Sequence, residues 1–209
     1  MKRAERNAET REAILGAAEA LFTAEGWQGT RITEVAARAG VATATCYNHF
    51  GSKHALIGHL FAPRIEAARA RVEALAGTEA EPYVVLRAAL GEVVTLLLAD
   101  RRMTFALFAA VQEDTIRSEG PPRGTTDVRT IANLPVILDA GLTHAAHALD
   151  ARIDVPRTAR YHTNGLFIQV LTRPDAPADD LLAFVAAEVE ATLAQNSRRS
   201  LESMPRSAS

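Results

Sequence analysis

Hydroxyl, amide and imidazole groups occur close together in one short segment, Thr43-Ala44-Thr45-Cys46-Tyr47-Asn48-His49-Phe50. If this segment is a helix, Cys46 and Phe50 share one face because they are four residues apart, and we expect that face to point into a core. Thr43, Tyr47 and part of Asn48 then point outward. Such groups form hydrogen bonds to phosphates and to base edges in the major groove of DNA. A plain surface helix would more often carry Glu and Arg at these positions.

The residues just before this segment predict a turn between two helices. Ala36 is small enough for two helices to cross closely, Gly40 can adopt the positive φ of a tight turn, and Val41 can fill the gap between the helices. Two short helices joined by a glycine-containing turn form a helix-turn-helix. The alternative is a three-helix packing unit that binds no nucleic acid, since a fold alone does not establish a function.

Helical periodicity continues on the N-terminal side of the turn. The first helix is predicted from an N-cap near Thr10 to Glu25, and Gly26 can take the left-handed conformation that ends it. The second helix follows Thr30 and ends at Gly40. These two helices and the segment with the polar face make up a predicted three-helix head.

The rest of the chain is also predicted to be helical. Ser52 caps a long fourth helix, and Pro63 should kink that helix or end its first segment. Residues 118–126 form a loop, and residues 1–8 and 197–209 are expected to fray. The remaining predicted helices are 82–99, 101–117, 127–149 with an interruption near Pro135, 156–171 and 178–194.

The predicted fold is therefore all-α, with two domains. Residues 8–52 form the helix-turn-helix DNA-binding domain, and residues 53–196 form a second helical domain. The N-terminal part of the chain is more positive than the rest, as DNA binding requires. Residues 1–64 carry eight Lys/Arg and six Asp/Glu, whereas the whole chain has a net charge of −2.

Composition favours a cytoplasmic protein without a membrane partner. The chain has a single cysteine, which excludes an internal disulfide framework and suits a reducing compartment. Its longest uninterrupted apolar runs fall far short of the roughly 20 residues that span a bilayer. At 48% apolar and 23% charged residues, the chain has the composition of an ordinary globular protein.

Signals for catalysis, a metal or a cofactor are weak or absent. The chain has no G-x-S-x-G, G-x-G-x-x-G, H-E-x-x-H or phosphate-binding loop motif, so we expect no enzyme, no metal site and no cofactor. His144 and His147, three apart on a predicted helix, could begin a metal site, but no nearby ligand completes it. Cys46 could sense oxidants, but its inward position favours an inert buried thiol. An all-helical enzyme and a non-catalytic interaction module are the alternatives.

One apolar stripe is a candidate ligand pocket. It consists of Met103, Phe105, Leu107, Phe108 and Val111 on the predicted helix 101–117. An apolar stripe at helical spacing is more often plain core, so a core and a pocket both stay open as interpretations.

The run from Gly26 to Leu60 resembles the tetracycline-repressor (TetR) family of transcriptional regulators. The resemblance covers about residues 8–62, and beyond them the chain is similar only in length and helical layout. The matching residues are Phe22, Gly26, Thr30, Val35-Ala36, Ala39-Gly40-Val41, Tyr47, His49-Phe50, Lys53 and Leu56.

This resemblance implies a set of DNA-contacting residues. Tyr47, His49 and Lys53 would chiefly contact phosphates, and Thr30 would present the N-terminus of the second helix to the DNA backbone. Ala42 stands where a serine commonly caps the recognition helix, so that Thr43 could take over the cap. The whole predicted set is Thr30, Arg31, Thr43, Ala44, Thr45, Tyr47, Asn48, His49 and Lys53, with Arg31 as an extra phosphate contact in place of the usual small hydroxyl residue.

The resemblance also implies that residues 53–196 form a domain for ligand binding and dimerisation. The last two helices would pair with those of a second copy as a four-helix bundle, and the resulting dimer would place two recognition helices about 34 Å apart on a pseudo-palindromic operator. A largely apolar small-molecule effector would control binding, most commonly as release of a repressor. Pro63 lies in the fourth helix, at the point where that helix would transmit an effector-induced conformational change to the head.

Overall fold

The computed structural model describes residues 2–122 and 124–202, with side chains over 3–122 and 124–197. Within this part of the chain, all regular structure is α-helical, as the sequence predicts. The helices are α1 Lys2–Gly29, α2 Ile32–Arg38, α3 Thr43–Phe50, α4 Lys53–Ala76, α5 Pro82–Ala99, α6 Arg101–Ser118, α7 Val128–Ile131, α8 Pro135–Ala148, α9 Val155–Thr172 and α10 Ala178–Glu202.

Both ends of the described chain are more helical than predicted. The α1 helix begins at Lys2 rather than near Thr10, and α10 continues to Glu202, so the expectation of fraying is wrong for residues 2–8 and 197–202. The physical reason lies in the absence of breakers: no glycine or proline occurs before Gly16 or between Pro177 and Pro205. Residues 1 and 203–209 lie outside the described part.

Two internal breaks were predicted correctly. Gly26 has φ +70° and interrupts α1, as expected of a left-handed C-terminal glycine. Pro135 opens α8 after the short α7, which is the predicted interruption. At Pro63 a kink or the end of a segment was predicted. The helix does not end there, because α4 runs from Lys53 to Ala76 with Pro63 on its exposed surface, and the kink stays a prediction.

The first of two compact units comprises Met1–Arg64 and Asp100–Asn133. In this unit α1 packs against α6 and α2, and α2 packs against α3. Its fully buried residues include Ile14, Phe22, Val35, Leu56 and Leu107. The three head helices and α6 therefore share one core.

The second unit comprises Ile65–Ala99 and Leu134–Ser209. Here α5 and α8 pack most extensively, and α9 and α10 complete the bundle. The α5–α8 crossing is close: a Cβ atom at Gly141 would lie 2.7 Å from the Cβ of Ala89. By length and composition α5 could cross a membrane, but a buried core helix meets the same test, and seven of its residues are buried in this unit.

These compact units divide the chain differently from the predicted domains, residues 8–52 and 53–196. The α4 helix contributes residues to both units, and the chain passes between them at 64–65, 99–100 and 133–134. The functional boundaries at 52 and 196 stay a prediction.

Candidate nucleic-acid interface

The turn between α2 and α3 has the geometry that its sequence predicts. Gly40 has φ +69°, and the N–H of Val41 donates to the carbonyl of Ala36 over 3.0 Å. Val35 and Ala36 are completely buried, so the small side chain of Ala36 lies inside the core of the first unit. The turn is thus closed by a backbone hydrogen bond and leads directly into α3.

The α3 helix has one buried and one exposed face, as predicted. Cys46 is 2% exposed and Phe50 is buried, whereas Tyr47 is 50% exposed and Asn48 is also exposed. Ala44 is exposed as well, and Thr43, Thr45 and His49 are partly exposed. The amide, the phenol and the hydroxyl groups are therefore presented to solvent within two turns of helix.

The start of α3 has no side-chain cap. Ala42 is the N-cap residue, with φ −70° and ψ 147°, and Thr43 is the first helical residue. The suggestion that Thr43 takes over the cap is therefore wrong, because its backbone is already helical. The Thr43 hydroxyl therefore does not cap α3.

The start of α2 is arranged differently from the expectation. Thr30 is buried, and its hydroxyl donates to the carbonyl of Gly26 over 2.8 Å. Arg31 is the N-cap residue; its backbone N–H donates to the carboxylate of Glu34 over 3.1 Å, and its side chain is exposed. Of these two residues predicted to contact DNA, only Arg31 has an exposed charged side chain. The Thr30 hydroxyl instead forms a hydrogen bond across the break in α1 at Gly26.

The predicted cap of α4 is present, and Lys53 lies directly after it. The Ser52 hydroxyl accepts from the N–H of Ala55 over 2.9 Å. The Lys53 ammonium donates to the carbonyl of Trp27 and lies 4.0 Å from the centroid of its indole ring. Burial lowers the pKa of Lys53, while the carboxylates of Glu113 and Glu34 act in the opposite direction.

Two contacts of this surface were not predicted. The Arg11 guanidinium lies 4.5 Å from the centroid of the Phe50 ring, so that α1 supports the last turn of α3. The Trp27 indole N–H donates to the carboxylate of Glu113, on α6, over 2.8 Å. Neither pair follows from periodicity, because each joins residues on separate elements.

The helix-turn-helix lies inside a segment that matches a known family. Residues 14–60 match the profile described as bacterial regulatory proteins, tetR family. This segment belongs to the tetR family. The match includes α2, the turn and α3, and it ends within α4, so the TetR segment contains every residue of the predicted DNA-contacting set.

Solved structures show that the whole chain has the TetR-regulator fold. FadR from Thermus thermophilus, a TetR-family transcriptional repressor in complex with lauroyl-CoA, is 22% identical, with 95% of this chain and 97% of that chain covered and a TM-score of 0.62. FadR from Bacillus subtilis, in complex with stearoyl-CoA, is 19% identical over 87% and 97% of the two chains, with a TM-score of 0.59. A comparison with curated proteins finds no match.

The predicted ligand-pocket residues lie on different faces of α6, in the same unit as the TetR segment. Met103 and Leu107 are buried in the core, Phe105 is 48% exposed, and Phe108 and Val111 are partly exposed. They do not line either of two concavities in the second unit. One of about 290 Å³ lies beside Asp139 and Arg69, and one of about 390 Å³ lies beside His162 and Phe184.

The histidines considered as metal ligands are not brought together with further ligands. His144 lies 3.4 Å from the carbonyl of Ala80, and His147 is exposed. Over the described residues, no group of three or more His, Cys, Asp or Glu side chains is arranged to hold a metal ion.

An exposed apolar face lies on α9 and α10, outside the TetR segment. Tyr161, Ile168 and Phe184 are exposed, and a Cβ atom at Gly165 would meet nothing within 4 Å. His162 beside them is buried, and its Nδ1 lies 4.0 Å from the Glu188 carboxylate. Burial lowers the pKa of His162, and Glu188 partly opposes this.

Proposed function

We propose that this protein is a transcriptional regulator that binds double-stranded DNA through the outward face of α3. The observation that carries the proposal is the placement of Tyr47 and Asn48: both are exposed on a short helix whose opposite face, Cys46 and Phe50, is anchored in the core. A rigid helix with exposed donors and acceptors can enter the major groove and form hydrogen bonds with base edges.

Charged side chains around α3 support the same function. Arg31 at the start of α2 is exposed, and Lys53 at the start of α4 is partly exposed. Lysine and arginine contacts to phosphates supply most of the sequence-independent affinity for DNA and position the protein on the duplex. We propose that Arg31, Tyr47, His49 and Lys53 contact phosphates, while Thr43, Ala44, Thr45 and Asn48 lie against the bases.

We propose further that the protein acts in the cytoplasm as a homodimer on a pseudo-palindromic operator. The support is the exposed apolar face formed by Tyr161, Ile168 and Phe184 on the last two helices. Large apolar side chains gathered on one exposed face are typical of protein interfaces. A two-fold dimer presents two equivalent recognition helices, and an inverted repeat in the DNA matches that symmetry.

We also propose that the protein is a repressor and that a largely apolar small-molecule effector controls its binding to DNA. The two FadR structures contain lauroyl-CoA and stearoyl-CoA, in which an apolar acyl chain is joined to a charged CoA group, so these two molecules are the first probes to test. An effector that binds the DNA-free form better than the DNA-bound form must weaken DNA binding by the same factor.

Selection from random-sequence DNA tests the proposed function. We expect the purified full-length protein to enrich an inverted repeat and to bind it more tightly than random DNA. Replacing Tyr47 and Asn48 together with alanine should abolish the enrichment, whereas Glu79→Ala, at an exposed carboxylate in the α4–α5 loop, should not. A well-folded wild-type protein that enriches no sequence would overturn the proposal and favour an interaction module or an enzyme.

A further inference from the structure

The Trp27 side chain connects α6 to the start of α4. Its indole N–H donates to the Glu113 carboxylate over 2.8 Å, and the ammonium of Lys53 lies over the same ring at 4.0 Å from the centroid. The ammonium also donates to the carbonyl of Trp27. Trp27, which is buried in the first unit, therefore contacts both the Glu113 carboxylate of α6 and the Lys53 ammonium that is proposed to contact DNA.

The ammonium retains donors for a further partner. A lysine ammonium has three N–H groups, and the Trp27 carbonyl accepts one of them. Lys53 is also only partly buried, so its remaining donors can reach a phosphate without giving up the carbonyl. A long lysine side chain loses much conformational freedom when it binds, and a side chain that is already held in place loses less.

The α6 helix is attached to the N-terminal helices at both of its ends. At its start, Arg102 donates to the carbonyls of Thr23 and Ala24 over 3.3 and 2.6 Å, and the Thr23 hydroxyl donates to Asp100 over 3.0 Å. Near its end, Glu113 accepts from Trp27. These attachments fix where the Glu113 carboxylate lies relative to the Trp27 ring.

The Glu113 carboxylate is held in its charged form. The hydrogen bond from Trp27 is the main reason that its pKa is lowered, and His54, Arg117 and Lys53 add to the effect. The ring of His54 packs edge-on against Trp27 at 4.9 Å, and its Nε2 lies 3.7 Å from Glu113. The indole therefore has a charged acceptor at its N–H and an aromatic neighbour at its ring, and these two contacts together define its orientation.

We propose that Glu113 is a positioning residue for DNA binding: through the Trp27 indole it holds the Lys53 ammonium where that group meets a phosphate. This inference rests on the proposed function. It assigns a role in DNA affinity to a residue of α6, far along the chain from the helix-turn-helix and outside the segment that matches the tetR family. It also means that a displacement of α6 changes a DNA contact directly.

A double-mutant cycle with Lys53 tests the inference on the selected operator. Glu113→Ala should weaken binding about fivefold and lower the slope of log affinity against log salt by about 0.9, the value for one lost phosphate contact. In a Lys53→Ala background, Glu113→Ala should have almost no further effect, because its target is gone. Equal losses in both backgrounds would overturn the inference and leave Glu113 with a role in stability alone.

The conservative variant Glu113→Gln and the fluorescence of Trp27 distinguish a positioning role of Glu113 from a role in folding. Glu113→Gln keeps an oxygen that accepts from the indole, so it should retain the wild-type salt slope. Trp27 is the only tryptophan of the chain, so its fluorescence reports on this site. We expect its emission maximum to shift in Glu113→Ala and to change little in Glu113→Gln. A salt slope in Glu113→Gln as low as in Glu113→Ala would contradict the role of the hydrogen bond.

Two further variants serve as a substitute and as a control in this test. If Glu113→Ala does not fold, Trp27→Phe takes its place: it removes the indole N–H but keeps a ring, and an unchanged salt slope in that variant would overturn the inference. Glu79→Ala removes the same charge at an exposed loop site and should leave the affinity and slope unchanged. Failure of the wild-type protein itself to bind DNA is the separate result that overturns the proposed function.

Discussion

Phe184 and Val189 both lie on α10, yet Phe184 is 48% exposed whereas Val189 is completely buried. The two residues are five positions apart and so point to different sides of the helix. Val189 belongs to the core of its own unit, and Phe184 shares the exposed face with Ile168 on α9. A test of dimerisation therefore has to alter Phe184 and Ile168 and leave Val189 intact.

The first prediction concerns that face. Replacing Phe184 and Ile168 together with aspartate should convert the dimer to a folded monomer, because two unpaired charges would be buried in an apolar contact. Light scattering after gel filtration measures the mass, and circular dichroism checks the fold. Val84→Asp, at an exposed apolar residue of α5, is the control and should stay dimeric. A fully dimeric double variant would place the interface elsewhere.

The second prediction separates a phosphate contact from a base contact. Tyr47→Phe removes one exposed hydroxyl and should weaken binding to operator and to random DNA by a similar factor, since phosphates are common to both. Asn48→Ala should weaken operator binding by about 1–3 kcal/mol and leave random DNA unaffected. Fluorescence anisotropy with labelled duplexes measures both. Loss of operator preference in Tyr47→Phe would assign Tyr47 to base recognition instead.

The third prediction concerns pH. Burial lowers the pKa of His54, His59 and His162 below the ordinary value, and neighbouring Arg117 and Arg11 add to the effect on the first two. The unfolded chain therefore takes up protons at a higher pH than the folded chain does. The contribution of these histidines is complete above about pH 6.5, and stability falls as the pH drops towards the lower folded values.

Thermal melts between pH 8 and pH 5 measure this effect. His162→Gln should make the melting temperature less sensitive to acid than in the wild type, because it removes one buried group that must be protonated on unfolding. His147→Gln, at an exposed histidine of α8, is the matched control and should keep the wild-type profile. A His162→Gln profile identical to the wild type would show that acid acts through other groups.

The fourth prediction concerns Pro63. This residue lies within the continuous α4 helix and one position before the change from the first compact unit to the second, at Arg64–Ile65. Pro63→Ala restores an N–H that can donate to the carbonyl of His59, which should leave stability unchanged or slightly higher. If α4 transmits the effector signal, operator affinity or its response to lauroyl-CoA should change by about 1–3 kcal/mol.

Full-length protein is needed for that experiment. An isolated head of residues 1–62 would lack residues 100–133, which belong to the same compact unit and bury part of α1. Melting temperature and operator affinity with and without lauroyl-CoA are the measurements. Wild-type values for all three would mean that Pro63 is an ordinary surface residue of a helix.

The helices of the head and their buried faces follow from local sequence patterns. The i, i+4 spacing of Cys46 and Phe50 correctly predicted which side of α3 is buried, and Gly26 and Gly40 correctly predicted the two breaks with positive φ. These features depend on residues within one or two helical turns of each other. Local periodicity and backbone sterics are sufficient to predict them.

The packing partner of each helix face becomes known only from the folded chain. It places the Thr30 hydroxyl on the Gly26 carbonyl, it puts α6 in the same core as the head, and it brings Glu113 to Trp27 across 86 positions of the chain. Periodicity states that a helix has an apolar side but contains no information on its partner. Which helices meet depends on how all the side chains of a core fill space together, and that property belongs to the folded chain and to no single segment.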